Sequence, residues 1–217
     1  IEQSVKIYEE IMEGQTEGMF STPFFVGSID YEYEVPYEID KMISRTDKNL
    51  DESSEKYYDY HNVHLMHEDL PELNSEIIKC CEKLVDVGFV KQPMKINDLW
   101  FNIYNRNRPF LPIHWHQNCI WSGTFYPQDT NHYVSYTNPN AGYQNMYFPE
   151  VKTPSDFNQD YMRLRPKKGT IIIHPSWISH SAHWIGEDDK SSCSISFDVG
   201  YTGKIGSKEY GSYNDGQ

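Results

Sequence analysis

The sequence predicts an α+β fold that is mainly β: a helical N-terminal third packed on a C-terminal barrel or sandwich of antiparallel strands. Three observations predict it. From Asn97 onward, seven short β-rich runs follow one another, separated by Pro, Asn, Asp and Gly. Ahead of them, one amphipathic helical pattern covers residues 70–87. The chain has 217 residues with 17 Tyr, 10 Phe and 5 Trp, enough for one domain with a sizeable core, whereas a disordered chain would be poor in aromatics.

In chain order, Ile1, Val5, Tyr8 and Met12 recur at helical spacing until Gly14, and the stretch up to residue 22 reads as a linker. Residues 1–22 are therefore expected to form a helix and linker ahead of a single domain at 23–202. A short strand is expected at 24–29. Pro36 can open a brief helix carrying Ile39, Met42 and Ile43, and the charged stretch 46–59 reads as a solvated loop. In the main helix Pro71 suits the first turn, Leu73, Ile77, Cys81 and Leu84 form one apolar stripe, and Gly88 ends it. The β-rich runs are 99–105, 113–126, 133–137, 146–151, 170–174, 179–185 and 193–201. Residues 203–217, rich in Gly, Ser and Tyr, read as a loose tail.

Composition narrows the class of partner. There are 19 basic and 32 acidic residues, a net charge of −13 with His neutral. No basic stripe suited to duplex nucleic acid is visible, and no run approaches the ~20 apolar residues of a membrane span. A small-molecule, peptide or protein substrate is expected instead. Cys80, Cys81, Cys119 and Cys193 form no CxxC and read as reduced thiols, which with no legible signal peptide suggests a cytoplasmic protein. The chain begins at Ile1, which reads as a trimmed or processed start.

The nine histidines are the chemistry-bearing feature. His114 and His116 lie at i and i+2, so on a strand both imidazoles share a face and can grip one metal ion. A third ligand must come from elsewhere. His180 is suited, because Pro175 to Ser179 carries the chain out of one strand and into the next, whereas His183 would point the other way. His132 and His174 stand apart. His61, His64 and His67, read on a helix, drift around its axis and do not converge. Trp100, Asn102 and Tyr104 alternate on one face of their run, opposite Phe101 and Ile103. Asn102 and Tyr104, with Tyr126 on the next run, are expected pocket residues. Ser192, Ser194 and Ser196 form the polar face opposite Cys193, Ile195 and Phe197.

The segments around these residues resemble a family of prokaryotic and viral oxygenases dependent on 2-oxoglutarate and Fe(II). The resemblance rests on Trp100-Phe-Asn102, on Pro112-Ile-His-Trp-His116 followed by Ser122-Gly-Thr-Phe-Tyr126, on Pro166-Lys-Lys-Gly169, on Ile171 to Trp177, on His180, and on Cys193-Ser-Ile-Ser-Phe197. Order and intervals agree over about residues 20–200. The resemblance implies a double-stranded β-helix of the jelly-roll or cupin-like kind. It implies Fe(II) held by His114, His116 and His180 as the catalytic centre, and 2-oxoglutarate chelating that iron. It further implies conversion of the co-substrate to succinate and carbon dioxide while a substrate C–H bond is hydroxylated, in a bacterium or a virus-infected host cell.

Two departures qualify that expectation. Most related oxygenases use two His and one carboxylate. Here the middle ligand is His116, so three neutral imidazoles leave the ion at +2. The family's Arg, which clamps the distal carboxylate of 2-oxoglutarate, falls at Ser192, which supplies a hydrogen bond but no charge. Arg163 and Arg165 alternate on the strand before Gly169 and share one face, so one of them, in preference to Lys190, is expected to supply the missing cation. The lost Arg also keeps two rivals in view: a three-histidine, cupin-like dioxygenase that needs no 2-oxoglutarate, and a metal- or ligand-binding barrel without turnover.

Overall fold

The computed structural model describes residues 22–32, 62–64, 70–86, 92–106, 109–142, 152–153, 158–186 and 191–202, with 62–64 as backbone. The expected helices in 1–12 and after Pro36, the loop 46–59, the run 146–151 and the tail 203–217 lie outside them. The elements are β1 (Phe25–Ser28), β2 (Asn62–His64), α1 (Pro71–Val85), β3 (Met94–Tyr104), β4 (Phe110–His114), β5 (Trp121–Phe125), β6 (His132–Thr137), β7 (Tyr161–Leu164), β8 (Thr170–Pro175), β9 (His180–Trp184) and β10 (Ser192–Tyr201).

They build two sheets. One has six strands in the order β1-β8-β5-β10-β3-β2, the other four in the order β4-β9-β6-β7. Every pairing is antiparallel. From β3 to β10 the chain repeatedly crosses from one sheet to the other. This is the double-stranded β-helix.

Alternation along the strands makes the layers. In the six-stranded sheet Leu99, Phe101 and Ile103 of β3, Ile171 and Ile173 of β8, and Cys193, Ile195 and Phe197 of β10 face one core. Against it α1 buries Leu73, Ile77, Cys80, Cys81, Leu84 and Val85. Pro71 starts the helix where no intrahelical N–H bond is lost, with Glu72 in the first turn and Lys83 in the last, each favourable to the helix dipole. The opposite face of the sheet turns toward the four-stranded sheet. There Tyr126, Val134, Tyr136, Ile172 and Ile178 form a second apolar cluster.

Some expectations are corrected. The run 113–126 is two strands in different sheets, β4 and β5, because Asn118 takes a left-handed conformation (φ 60°) that breaks the extended chain. Residues 62–64 are strand, so the helix-based reading of His64 does not apply. β7 is the strand expected before Gly169, though it is outside the seven β-rich runs, and its four residues pair along one edge. None of the four cysteines forms a disulfide, as expected; Cys80, Cys81 and Cys193 are buried, but Cys119 is only partly buried. Among the described residues no helix is long and apolar enough to cross a membrane.

Gly123 marks the tightest place in the sheet. A Cβ there would lie 2.5 Å from the Ile172 carbonyl oxygen and 2.5 Å from the Phe197 ring. Gly123→Ala is therefore expected to lower unfolding stability by about 1–3 kcal/mol, the usual cost of overpacking. Denaturant unfolding of parent and variant measures it, and an unchanged midpoint would contradict the close approach.

Candidate metal centre

His114 ends β4 and His180 begins β9, and the antiparallel register sets the two directly opposite. His116 follows two residues later, where its backbone N–H donates to the Ser176 carbonyl at 2.9 Å. One potential ligand atom from each of His114, His116 and His180 lies within 4.8 Å of the other two. The ring centroids are 5.1 Å apart for His114–His116, 4.4 Å for His114–His180 and 5.2 Å for His116–His180. His183 points away, hydrogen-bonded to Ser181 and stacked between Phe110 and Tyr133. The side chain of His64 and all of His61 and His67 lie outside what is described.

The hydrogen bonds behind the rings decide which nitrogens face inward. His114 Nδ1 lies 2.7 Å from the Pro112 carbonyl and His180 Nδ1 3.1 Å from the Ile178 carbonyl. His116 Nδ1 is hydrogen-bonded to Asp198 Oδ2 at 3.2 Å. Each acceptor fixes the proton on Nδ1 and leaves the Nε2 lone pair for a ligand, the outer-shell arrangement typical of metal-binding histidine. The Nε2 of His116 is buried without a hydrogen-bond partner, an unmet acceptor that a metal ion would satisfy. Burial lowers the pKa of His114 and, more strongly, of His180, so both stay neutral as ligands must. Trp100 stacks on His116 with centroids 5.5 Å apart and restricts the ring further. The donor set fits a divalent transition ion.

Asp198 was not among the residues singled out from the sequence. Its signal was there: it is the only acid in the run 193–201. His174 was set apart but lies beside the centre, its ring 4.8 Å from that of His180 and packed against Phe24 and Tyr136. Burial pushes its pKa down to about 4.

A cavity extends from the three histidines along the inner face of β3 and β10. Trp100, Asn102, Tyr104, Ser194, Ser196 and Tyr126 are among its lining residues. The amide Nδ2 of Asn102 donates to Ser196 Oγ at 2.7 Å, while Asn102 Oδ1 is buried without a partner. Burial raises the pKa of Tyr104 and of Tyr126, keeping both hydroxyls protonated. Ser192 is buried but does not line the cavity. Its hydroxyl lies 2.8 Å from His132 Nδ1 and accepts the Asn131 N–H at 3.1 Å. The His132 ring packs on Tyr104 at 4.2 Å and near Tyr126 at 5.8 Å.

Neither Arg163 nor Arg165 is among the described residues that line the cavity. Arg163 and Arg165 do share a face of the chain, but it is the outer one, because Met162 and Leu164 take the inner face of β7. Arg163 is exposed and lies over the rings of Tyr133 and Tyr161 at 5.0 and 4.5 Å. Arg165 is exposed, and its Nε donates to the Thr130 carbonyl at 3.2 Å. Lys190 lies outside the described residues.

Residues 98–198 match the model of the family described as "Putative 2OG-Fe(II) oxygenase". The matched segment contains the three histidines and Asp198. No curated protein matches the sequence. Among solved structures, the chain is similar to the non-heme alpha ketoglutarate dependent epimerase SnoN from nogalamycin biosynthesis, with 10% identity and a TM-score of 0.52 over 83% of this chain and 77% of that one. It is also similar to a Pseudomonas putida prolyl-4-hydroxylase (10% identity, TM-score 0.46, 84% of this chain and 95% of that one). A third is HygX from Streptomyces hygroscopicus with nickel and 2-oxoglutarate bound (12% identity, TM-score 0.45, 83% of each chain). At such identities the likeness to SnoN is one of fold.

Two outcomes follow. Ala at His114, His116 or His180 should abolish tight iron binding, while Asp198→Asn should keep the fold and weaken metal affinity about 10–100-fold. Metal titration of the folded variants measures this, and unaltered affinity in Asp198→Asn would show that the carboxylate does not orient His116. The second outcome concerns pH. Burial holds the His132 pKa at about 3, against about 6.5 for an unfolded histidine. Between these values the unfolded chain takes up a proton that the folded chain refuses, so stability present above pH 6.5 is lost as pH falls toward 3. His132→Gln should therefore lose less melting temperature than the parent between about pH 6.5 and pH 4; parallel curves would contradict a buried neutral His132.

Proposed function

We propose that this protein is a non-haem Fe(II)- and 2-oxoglutarate-dependent oxygenase that hydroxylates a C–H bond of a small-molecule or peptide substrate. The observation that carries the reading is the triad itself: three imidazoles, each with Nδ1 hydrogen-bonded away from the centre, converging at the end of a polar, largely buried cavity. His114, His116 and His180 would hold the ion. Bound there with 2-oxoglutarate, Fe(II) supplies oxidation of a C–H bond by dioxygen, the co-substrate leaving as succinate and carbon dioxide.

The residues of the chain provide the setting for that chemistry. Asp198 and the two backbone carbonyls hold the imidazoles in one tautomer, so that binding the ion demands no reorganisation of the rings. Trp100 packs against His116, and the buried rings of Tyr104 and Tyr126 line the cavity, lowering the local dielectric and strengthening polar contacts within it. One observation favours a second reading. Among the described residues no Lys or Arg lines the cavity, as suits a three-histidine dioxygenase that needs no 2-oxoglutarate.

Turnover separates them. The iron-loaded protein, given 2-oxoglutarate and oxygen, should release succinate slowly even without substrate, and His180→Ala should not. Oxygen uptake without succinate would favour the second reading, and neither would point to a binding protein.

A further inference from the structure

This inference concerns the outer face of the four-stranded sheet and does not depend on the choice of co-substrate. We propose that this face docks an acidic peptide segment of a partner protein, its carboxylates held by Arg163 and Arg165 and its apolar side chains seated at Phe110 and Ile185.

Alternation defines the face. Leu111 of β4, Ala182 of β9 and Val134 of β6 line the cavity, and Met162 and Leu164 of β7 pack inside. Their neighbours Phe110, His183, Tyr133, Tyr161 and Arg163 therefore point outward. These side chains form one ladder across all four strands. Phe110 stacks on His183 with centroids 6.2 Å apart and planes 19° from parallel. His183 stacks on Tyr133 at 5.0 Å and 18°. The Arg163 guanidinium lies over Tyr133 at 5.0 Å and over Tyr161 at 4.5 Å. Ser181 Oγ, 3.2 Å from His183 Nε2, fixes the middle rung.

Stacked cross-strand pairs stabilise a sheet by about 0.2–1 kcal/mol each. Two features of this face go beyond that service. The first is exposure. Of the seven large apolar side chains exposed among the described residues, Phe110, Ile113, Tyr161 and Ile185 stand on these strands or at their ends. Apolar side chains gathered on one exposed face mark an interaction surface. The second is charge. The chain has 32 acidic residues and a net charge of −13, yet β4, β6, β7 and β9 contain none of them. Asp160, the nearest acid in sequence to Arg163, stands just ahead of β7. Arg163 and Arg165 are both exposed on this side. Here the protein attracts a negative segment that its net charge would otherwise repel.

The geometry also describes that segment. The tyrosine rings take the flat faces of the Arg163 guanidinium, leaving its N–H edge for the two oxygens of a carboxylate. Arg165, anchored through Nε to the Thr130 carbonyl, stands two residues on, about 6.5–7 Å away. That is the spacing of alternate side chains in an extended peptide. From β7 to Phe110 on β4 there are three strand spacings, about 14 Å, or roughly four extended residues. The fitting segment thus carries two acids one residue apart and apolar side chains about four residues further along. Nucleic acid binding draws on many phosphate contacts, more than two arginines supply. A two-fold contact between copies of this chain would set the same arginines against each other.

The test is fluorescence anisotropy of the whole chain with labelled glycine-serine peptides. One carries two glutamates one residue apart and two leucines four residues on; its sisters carry glutamine or lysine in place of the glutamates. The glutamate peptide should bind, the glutamine peptide about tenfold or more weaker, the loss of a hydrogen bond to a charged group. Arg163→Ala and Phe110→Ser should each weaken the glutamate peptide at least about fivefold, and Arg163→Glu should turn the preference to the lysine peptide. Val26→Ser, an exposed site on β1 in the other sheet, should bind as the parent does. All these sites are on the surface, and unchanged melting temperatures would show that the fold is kept. Equal binding of the three peptides, no binding of the glutamate peptide at about 1 mM, or indifference to Arg163 overturns the proposal. So does tighter binding of a single-stranded oligonucleotide, or a concentration-dependent dimer that Phe110→Ser abolishes, since either gives the face to a different occupant.

Discussion

Everything in this molecule that carries chemistry depends on a two-residue alternation along β3 and β10. The strands are paired so that Ser192 faces Tyr104, Ser194 faces Asn102 and Ser196 faces Trp100, while Cys193 faces Ile103 and Ile195 faces Phe101. One set of pairs lies on the cavity side of the sheet and the other in the core under α1. A slip of one residue would exchange them, placing hydroxyls and an amide against Leu73 and Ile77 and isoleucines against the histidines. The apolar set therefore holds the polar set in register.

The same alternation explains how a polar cavity survives inside a small domain. Buried polar groups are tolerated where they find partners. Ser192 is satisfied by His132 and Asn131, Ser196 by Asn102 and Thr124, and Ser176 by the Cys119 carbonyl. The two cavity atoms left over, His116 Nε2 and Asn102 Oδ1, are informative for that reason. One lies where a metal ion is expected and the other on the wall beyond it.

The centre also shows how a ligand set is held from outside. β4 and β9 bring His114 and His180 opposite each other, but His116 has left its strand and depends on two tethers, the backbone bond to Ser176 and the hydrogen bond to Asp198. Asp198 belongs to β10, in the other sheet. With the Trp100–His116 stack, this contact ties the ligand set to the sheet that carries the cavity floor.

The local pattern by itself determined a good deal. The i, i+2 spacing paired His114 with His116, although His116 lies just past the end of β4 and a hydrogen bond to Ser176, not the pleat, sets its place; the interval after Pro175 identified His180, and period-two alternation separated Asn102 and Tyr104 from Phe101 and Ile103. The apolar stripe identified α1. These are properties of adjacent residues, and strand and helix geometry translate them directly into direction. Tertiary structure alone decided the rest. Alternation told that Arg163 and Arg165 share a face, but only the pairing of β7 with β6, and the burial of Met162 and Leu164, made that face the outer one. Nothing near Asn118 announced that one β-rich run would divide between two sheets. The partnership of His116 with Asp198 joins residues 82 apart in sequence, and that of His132 with Ser192 joins residues 60 apart. Such contacts follow from which strands become neighbours, and that is settled by packing the whole core, which no local period encodes.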